Sequence, residues 1–301
     1  MAAELCKSVP VAAAAVSKHL RVDFADLAAG RRRGIPRAFR EEQMASLAFP
    51  AARSGATAEE RFFMTSAVAM AIVIIAGFSL NAIMGRSSFG APLSVHVHGL
   101  LFMGWLALYV TQNALVASGN VAVHRRLGWI SAVWVPAMIV AALYVIVAMV
   151  RRGAVPFFFT PIYFLTMDTM ILASFVALTV AAIRLRRRTD WHRRLMFCGM
   201  AVFTGNGLGR LLPMPLLIPY AGEAAVAASL AFPIWGMVSD RRRTGRIHAA
   251  WWWGLAAILG GQALAELVAG TPLGLSLYDW VAAGSPGAHV APTAYPAMPV
   301  G

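Results

Sequence analysis

Four ionisable side chains stand inside long apolar stretches of this sequence: His98, Asp168, Arg210 and Glu266, with His96 nearer a stretch end. An ionisable group facing hydrocarbon is costly, so it turns inward and commonly has a task. Asn81, Asn206 and Gln262 lie at depths similar to Arg210 and Glu266. If the helices that carry them face one another, Asp168, Arg210, Glu266, Asn206 and Gln262 form one polar cluster. Such a cluster is either a path for a small solute or protons, or hydrogen-bonding glue between helices. His98, Trp105 and Gln112 recur every seven residues and share a helix face. His98 is then a ligand or proton-relay histidine, or a headgroup-level histidine bonded to a neighbouring helix.

A second set of histidines borders the apolar stretches. His124-Arg125-Arg126-Leu127 and His192-Arg193-Arg194-Leu195 echo each other, and His248 stands in a comparable place. Two opposed imidazoles at one depth are what the axial pair of a b-type haem requires, and the adjacent arginines could hold its propionates. The alternative for His-Arg-Arg is an interfacial cap on lipid phosphates and helix ends. Zinc or iron held by His124, His192 and His248 with Asp190 and Asp240 is a further reading. No pair among them has the i, i+4 spacing that would favour it, so no metal site is assigned. His96 and His98, two apart, point in different directions on a helix. There is no Walker loop, dinucleotide fingerprint or Gly-x-Ser-x-Gly elbow. Gly205-Asn206-Gly207-Leu208-Gly209 lies within an apolar helix, and its glycines, with Gly77 and Gly85, allow close backbone packing.

The elements that must position these groups follow from composition. Hydrophobic residues make up 59% of the 301 residues and charged ones 13%, too few to cover a soluble domain of this size. Seven blocks approach the roughly 20 apolar residues that cross a hydrocarbon core: 63–84, 92–116, 127–150, 157–183, 195–218, 222–238 and 249–268. The sixth is short and carries Pro233. Numbered from the first block, the odd inter-block loops and the even ones differ sharply in charge. One set holds twelve arginines, at positions 125–126, 184, 186–188, 193–194, 241–243 and 246; the other holds only Arg86, Arg151 and Arg152. By the positive-inside rule the N-terminus is cytoplasmic and the C-terminus outside. The net charge of +13 is therefore topogenic, and nucleic acid is not an expected partner. Trp129, Trp191, Trp251, Trp252, Trp253 and Trp280 at block ends read as an aromatic belt.

Residues 1–60 read as a cytoplasmic, partly disordered tail, with Met44 and Met64 as alternative starts to Met1. Residues 61–280 form the transmembrane domain, and 281–301, rich in Ala, Pro and Gly, read as a disordered C-terminal tail. Cys6 and Cys198 form no disulfide framework. The spacing of the two His-Arg-Arg-Leu motifs suggests a parallel repeat of two hairpins, helices two–three and four–five. Helices one, six and seven would flank that four-helix core.

Several stretches carry a resemblance to a family of uncharacterised bacterial multi-spanning membrane proteins. They are Arg61-Phe62-Phe63 leading to Gly77-Phe78; Val97-His98-Gly99 with Gly104-Trp105 and Gln112; His124-Arg125-Arg126-Leu127-Gly128; Asp190 with His192 to Met196, and Arg210; and Gly245-Arg246-Ile247-His248. The resemblance implies a helical domain in a bacterial cytoplasmic membrane and brings no activity. More distantly the chain is similar to di-haem b-type cytochromes, in which histidines pair across a four-helix core. His124 and His192 match one such pair; His98 finds no histidine partner on helix four, which offers only Met167, Asp168 and Met170. The expectation is thus an all-α polytopic membrane bundle, N-in and C-out. Its leading function is a membrane electron-transfer component with haem b between His124 and His192. The alternatives are a small-solute or proton transporter using the intramembrane cluster, and a non-catalytic scaffold for a partner subunit or a second copy of the chain.

Overall fold

The computed structural model describes residues 55–87 and 90–298. The expected tail, as far as residue 54, lies outside the described residues, with Met1, Met44 and Cys6. Among the described residues there are ten α-helices, two short 3-10 turns and no strand. In chain order the helices are α1 (Ala58–Ile83), α2 (Leu93–Ala117), α3 (Val121–Gly128), α4 (Ser131–Arg152), α5 (Pro161–Arg184), α6 (Thr189–Leu211), α7 (Ala221–Ser229), α8 (Ala231–Thr244), α9 (Ala249–Ala269) and α10 (Pro272–Ala282).

Helix α1 begins five residues before the apolar block that marks it in sequence, because a capping box starts it there. Thr57 Oγ1 accepts from Glu60 N at 3.1 Å, and Glu60 Oε2 accepts from Thr57 N at 2.7 Å. The pair satisfies two of the amide donors that a helix start leaves bare. Helices α7 and α8 follow one another through Leu230. The interruption falls where Pro233 would crowd the carbonyl four residues back, that of Ser229. Together they run from Ala221 to Thr244, long and apolar enough to cross a membrane. The short sixth block of the sequence thus becomes a full-length one. The motif at His124 does not open a long helix: α3 ends at Gly128, and α4 starts separately at Ser131.

Six helices or helix pairs are long and apolar enough to cross a bilayer: α1, α2, α4, α5, α7–α8 and α9. Helix α6, the fifth block, does not qualify, since it carries Asp190, Arg193, Arg194 and Arg210. Its position explains this. The six others form a closed ring, α1–α2–α4–α5–α9–α8, and α6 runs within it, packed along α1, α5, α7 and α9. Every residue from Phe197 to Thr204 is buried, so all faces of α6 are covered by protein. A helix enclosed in this way has no need to match lipid. The four-helix core of α2, α4, α5 and α6 expected from the motif echo is therefore not the architecture.

Glycines set the closest approach. A Cβ on Gly77 of α1 would strike the carbonyl of Gly207 on α6, and one on Gly207 would sit 2.8 Å from Ile74 Cα. Small residues let helix backbones meet and gain dispersion contacts that lipid tails cannot outbid. Gly85 lies beyond the helix and meets nothing, whereas Gly205 and Gly209 make ordinary contacts. Trp251, read as part of a belt, is wholly buried, while Trp252 and Trp253 are exposed.

The segment after α10 packs back on the bundle as far as Pro292. Tyr278 Oη donates to Gly287 O at 3.0 Å, and Arg151 Nη1 donates to Val281 O and Ala283 O at 2.9 and 3.0 Å. Ile162 N, an orphan amide in the first turn of α5, donates to Pro292 O at 3.0 Å.

Candidate functional site

The polar residues fall into three groups rather than one cluster. The first lies at the arginine-rich end. His192, in the first turn of α6, has Nδ1 2.9 Å from Ala182 O; a carbonyl only accepts, so that nitrogen carries the proton. The ring of His124 on α3 stands 6.3 Å from that of His192, centroid to centroid, at 75°. The Gln112 amide, oriented to satisfy all its neighbours, donates to His124 Nδ1 at 2.6 Å and to His124 O at 3.2 Å, and accepts from Gly128 N at 3.0 Å. His124 Nδ1 is then an acceptor, and its proton is on Nε2. Burial, then the neighbouring His192 and Arg125, hold the His124 imidazole below its ordinary pKa, against the raising effect of the Gln112 backbone carbonyl.

Beside this pair runs an ionic network that the sequence alone does not reveal. Arg194 on α6 grips Asp240 on α8 with Nε to Oδ2 at 2.7 Å and Nη2 to Oδ1 at 2.8 Å. Arg194 Nη2 also reaches Glu59 Oε1 on α1 at 2.9 Å, and Nη1 donates to Asp190 O at 2.9 Å. Arg193 pairs with Glu59 Oε2 at 2.9 Å, and Arg243 with Asp240 Oδ1 at 2.8 Å. Trp251 Nε1 on α9 donates to Asp240 Oδ2 at 2.7 Å. The buried Asp240 carboxylate thus ties α6, α8 and α9, and Glu59 joins α1 to the same arginines. His248 caps α9, its Nδ1 accepting from Ala250 N at 3.1 Å, and meets Asp190 Oδ2 through Nε2 at 3.0 Å. His124 is thus held by Gln112, His192 by Ala182, His248 by Asp190, and Asp240 by Arg194 and Trp251. Among the described residues no three His, Cys, Asp or Glu side chains gather as a metal site.

The second group lies deeper. Arg210 on α6 donates through Nη1 to Asn206 O at 2.7 Å and stacks its guanidinium 4.0 Å from the centre of the Phe78 ring. Its charge reaches both Asp168 on α5 and His98 on α2. His98 stacks on Phe102 at 4.3 Å. Arg210 Nε and His98 Nδ1 are buried without a hydrogen-bond partner. Asp168 makes no hydrogen bond or ion pair among the described residues. Toward the arginine-rich end this group is closed by aromatic rings: Phe102 against Phe203 at 5.0 Å, Phe203 against Phe175 at 4.4 Å, and Phe175 against Trp105 at 5.6 Å. Asp168 and Ala182, which holds His192, are fourteen residues apart on α5, about 21 Å along the axis.

The third group contains the remaining expected residues. Gln262 Nε2 on α9 donates to Glu266 Oε1 and to Tyr163 Oη, each at 2.7 Å. Glu223 on α7 stands close to both Glu266 and Tyr163, and its Oε2 is buried without a partner. Tyr295 lies near the same two carboxyls; burial, then those charges, push its phenol up. Tyr163 and Asp168 are five residues apart on α5, about 140° around the helix, which is why Glu266 and Gln262 do not join Asp168 and Arg210. Gln262 Oε1, also unpartnered, borders a cavity of about 20 Å³ with Met167, Ser174 and Gly261, large enough for one water.

A b-type haem requires both facing imidazole nitrogens as lone-pair donors. His192 fits, with Nδ1 bonded to a carbonyl and Nε2 bare. His124 does not, since Gln112 and Gly128 leave its proton on Nε2. One donor and one acceptor nitrogen suit a hydrogen-bonded or water-bridged imidazole pair better than two iron ligands. No family model, curated protein or solved structure matches the chain.

Proposed function

We propose that the protein is a carrier that crosses the bacterial cytoplasmic membrane seven times, arginine-rich loops in the cytosol, and passes protons through Asp168, Arg210 and His98. The observation that supports it is the set of unmet hydrogen-bonding atoms in this group. A buried polar atom without a partner costs free energy, and one in a membrane core has no bulk water to fall back on. Two such atoms, on a guanidinium near an unpaired carboxyl and on an imidazole near that guanidinium, support a site that takes up a proton or water in service. The aromatic closure between this group and His124–His192 fits a carrier that rearranges rather than an open pore.

The test is proton flux into liposomes that hold the purified full chain, driven by a potassium–valinomycin potential and read by an entrapped pH dye. Flux above that of empty liposomes is expected. Asp168→Asn, which cannot titrate, should cut it at least about tenfold. Equal flux for Asp168→Asn and the unaltered chain would reject the reading. The competing one, electron transfer through haem b, draws on the 6.3 Å separation of the His124 and His192 rings. It requires Gln112 to turn over, and a Soret band in the purified protein would restore it.

A further inference from the structure

At the end of the bundle away from the arginine-rich loops, a cleft of about 420 Å³ opens between α2 and α4. Pro92 and Ser94 form one wall; Tyr144, Val147, Arg151 and Arg152 form the other. The charge here is unusual for its place. Topogenic arginine is concentrated at the opposite end, and cations at this end do not serve orientation.

Both guanidiniums are held in place by neutral acceptors. Arg151 is fixed by the carbonyls of Val281 and Ala283, and Arg152 Nε donates to Ala148 O at 3.1 Å. Neither has a carboxylate partner among the described residues. Two pinned cations and a serine hydroxyl around one cleft make a receptor for an anionic oxygen group, and guanidinium matches phosphate in shape as well as charge.

The apolar surroundings say what carries that group. Tyr144 is itself 61% exposed on the cleft wall. One turn deeper on the same helix faces stand Val97, three residues from Ser94, and Val140, four from Tyr144. Val140 is 69% exposed and Val97 45%. A soluble anion has no use for this apolar track, whereas a lipid tail does. We propose that the cleft holds the phosphate headgroup of an anionic phospholipid, with an acyl chain lying along Tyr144, Val140 and Val97.

The experiment is native mass spectrometry of the full chain released from mixed micelles of phosphatidylglycerol and phosphatidylcholine, with millimolar inorganic phosphate as a separate arm. Preferential retention of phosphatidylglycerol is expected. Arg152→Gln should reduce it about tenfold, the value of one charge-assisted hydrogen bond. Arg86→Gln, at the same end but outside the cleft, should leave retention unchanged. The inference falls if Arg152→Gln retains the lipid as before, if Arg86→Gln loses as much, or if phosphatidylcholine is held equally well. It falls also if inorganic phosphate alone displaces phosphatidylglycerol, which would make the ligand a soluble anion.

Discussion

Oδ2 of Asp240 accepts from Arg194 Nε and from Trp251 Nε1, each at 2.7 Å, so one oxygen joins α6, α8 and α9. Asp240 is 1% exposed, and removing its charge leaves Arg194 buried with Glu59 as its remaining carboxylate. Breaking a buried pair from one side costs about 3–5 kcal/mol. Asp240→Asn should therefore lower the thermal midpoint in detergent markedly. Arg243→Ala, on the more open flank of the network, should cost under about 1 kcal/mol. Similar midpoints for both variants would mean that the network does not hold the bundle.

The crossing of α1 and α6 gives a second expectation. A methyl group at Gly77 meets the Gly207 backbone, which has no flexible side chain to yield. Gly77→Ala should destabilise by about 1–3 kcal/mol through forced separation of the helices. Gly99, also helical, has nothing within 4 Å of the place its methyl would take. Gly99→Ala should be neutral or stabilise by up to about 1 kcal/mol. Thermal unfolding of the two side by side measures the contrast, and a more stable Gly77→Ala protein would disprove the contact.

Orientation is open to a direct check. Reporter fusions after Arg188 and after Arg243 should be active only as cytosolic reporters, and one after Gly301 only as an exported one. An exported signal at Arg188 would invert the bundle.

Acid should weaken the arginine-rich end. His124 lies below its ordinary pKa of 6.5, so the unfolded chain binds this proton at a higher pH than the folded chain. Stability from neutral His124 is whole above about pH 6.5 and is lost as the pH falls toward the folded value. The detergent midpoint should hold steady near neutral pH and then drop with acid, less steeply in His124→Gln. A midpoint that climbs on acidification would contradict this assignment.

Much of the helical framework is legible in the apolar runs, because length and hydropathy are local properties. Six of the seven blocks are long apolar helices, and even the weakest, interrupted at Leu230, is among them. Mutual placement is what local properties do not carry. Glu59 and Arg194 are 135 residues apart, and Arg194 and Asp240 are 46 apart. Glu59 falls in the stretch that reads as tail, although Thr57-x-x-Glu60 is a legible helix start. Arg193 and Arg194 read as topogenic because a sequence shows a charge at a helix end but not the acid facing it. The single polar cluster splits in two for a geometric reason: similar depth fixes height on a helix, while the angle around it decides who meets whom.

The enclosed α6 has a bearing on biosynthesis. A segment with two arginines in its first turns and a third near its close partitions poorly into lipid by itself. Its insertion should depend on neighbours already in place, above all α1, whose Gly77 and Glu59 receive its backbone and its guanidiniums. A nascent chain lacking α1 should therefore leave this segment outside the bilayer and expose the remaining spans to quality-control proteolysis.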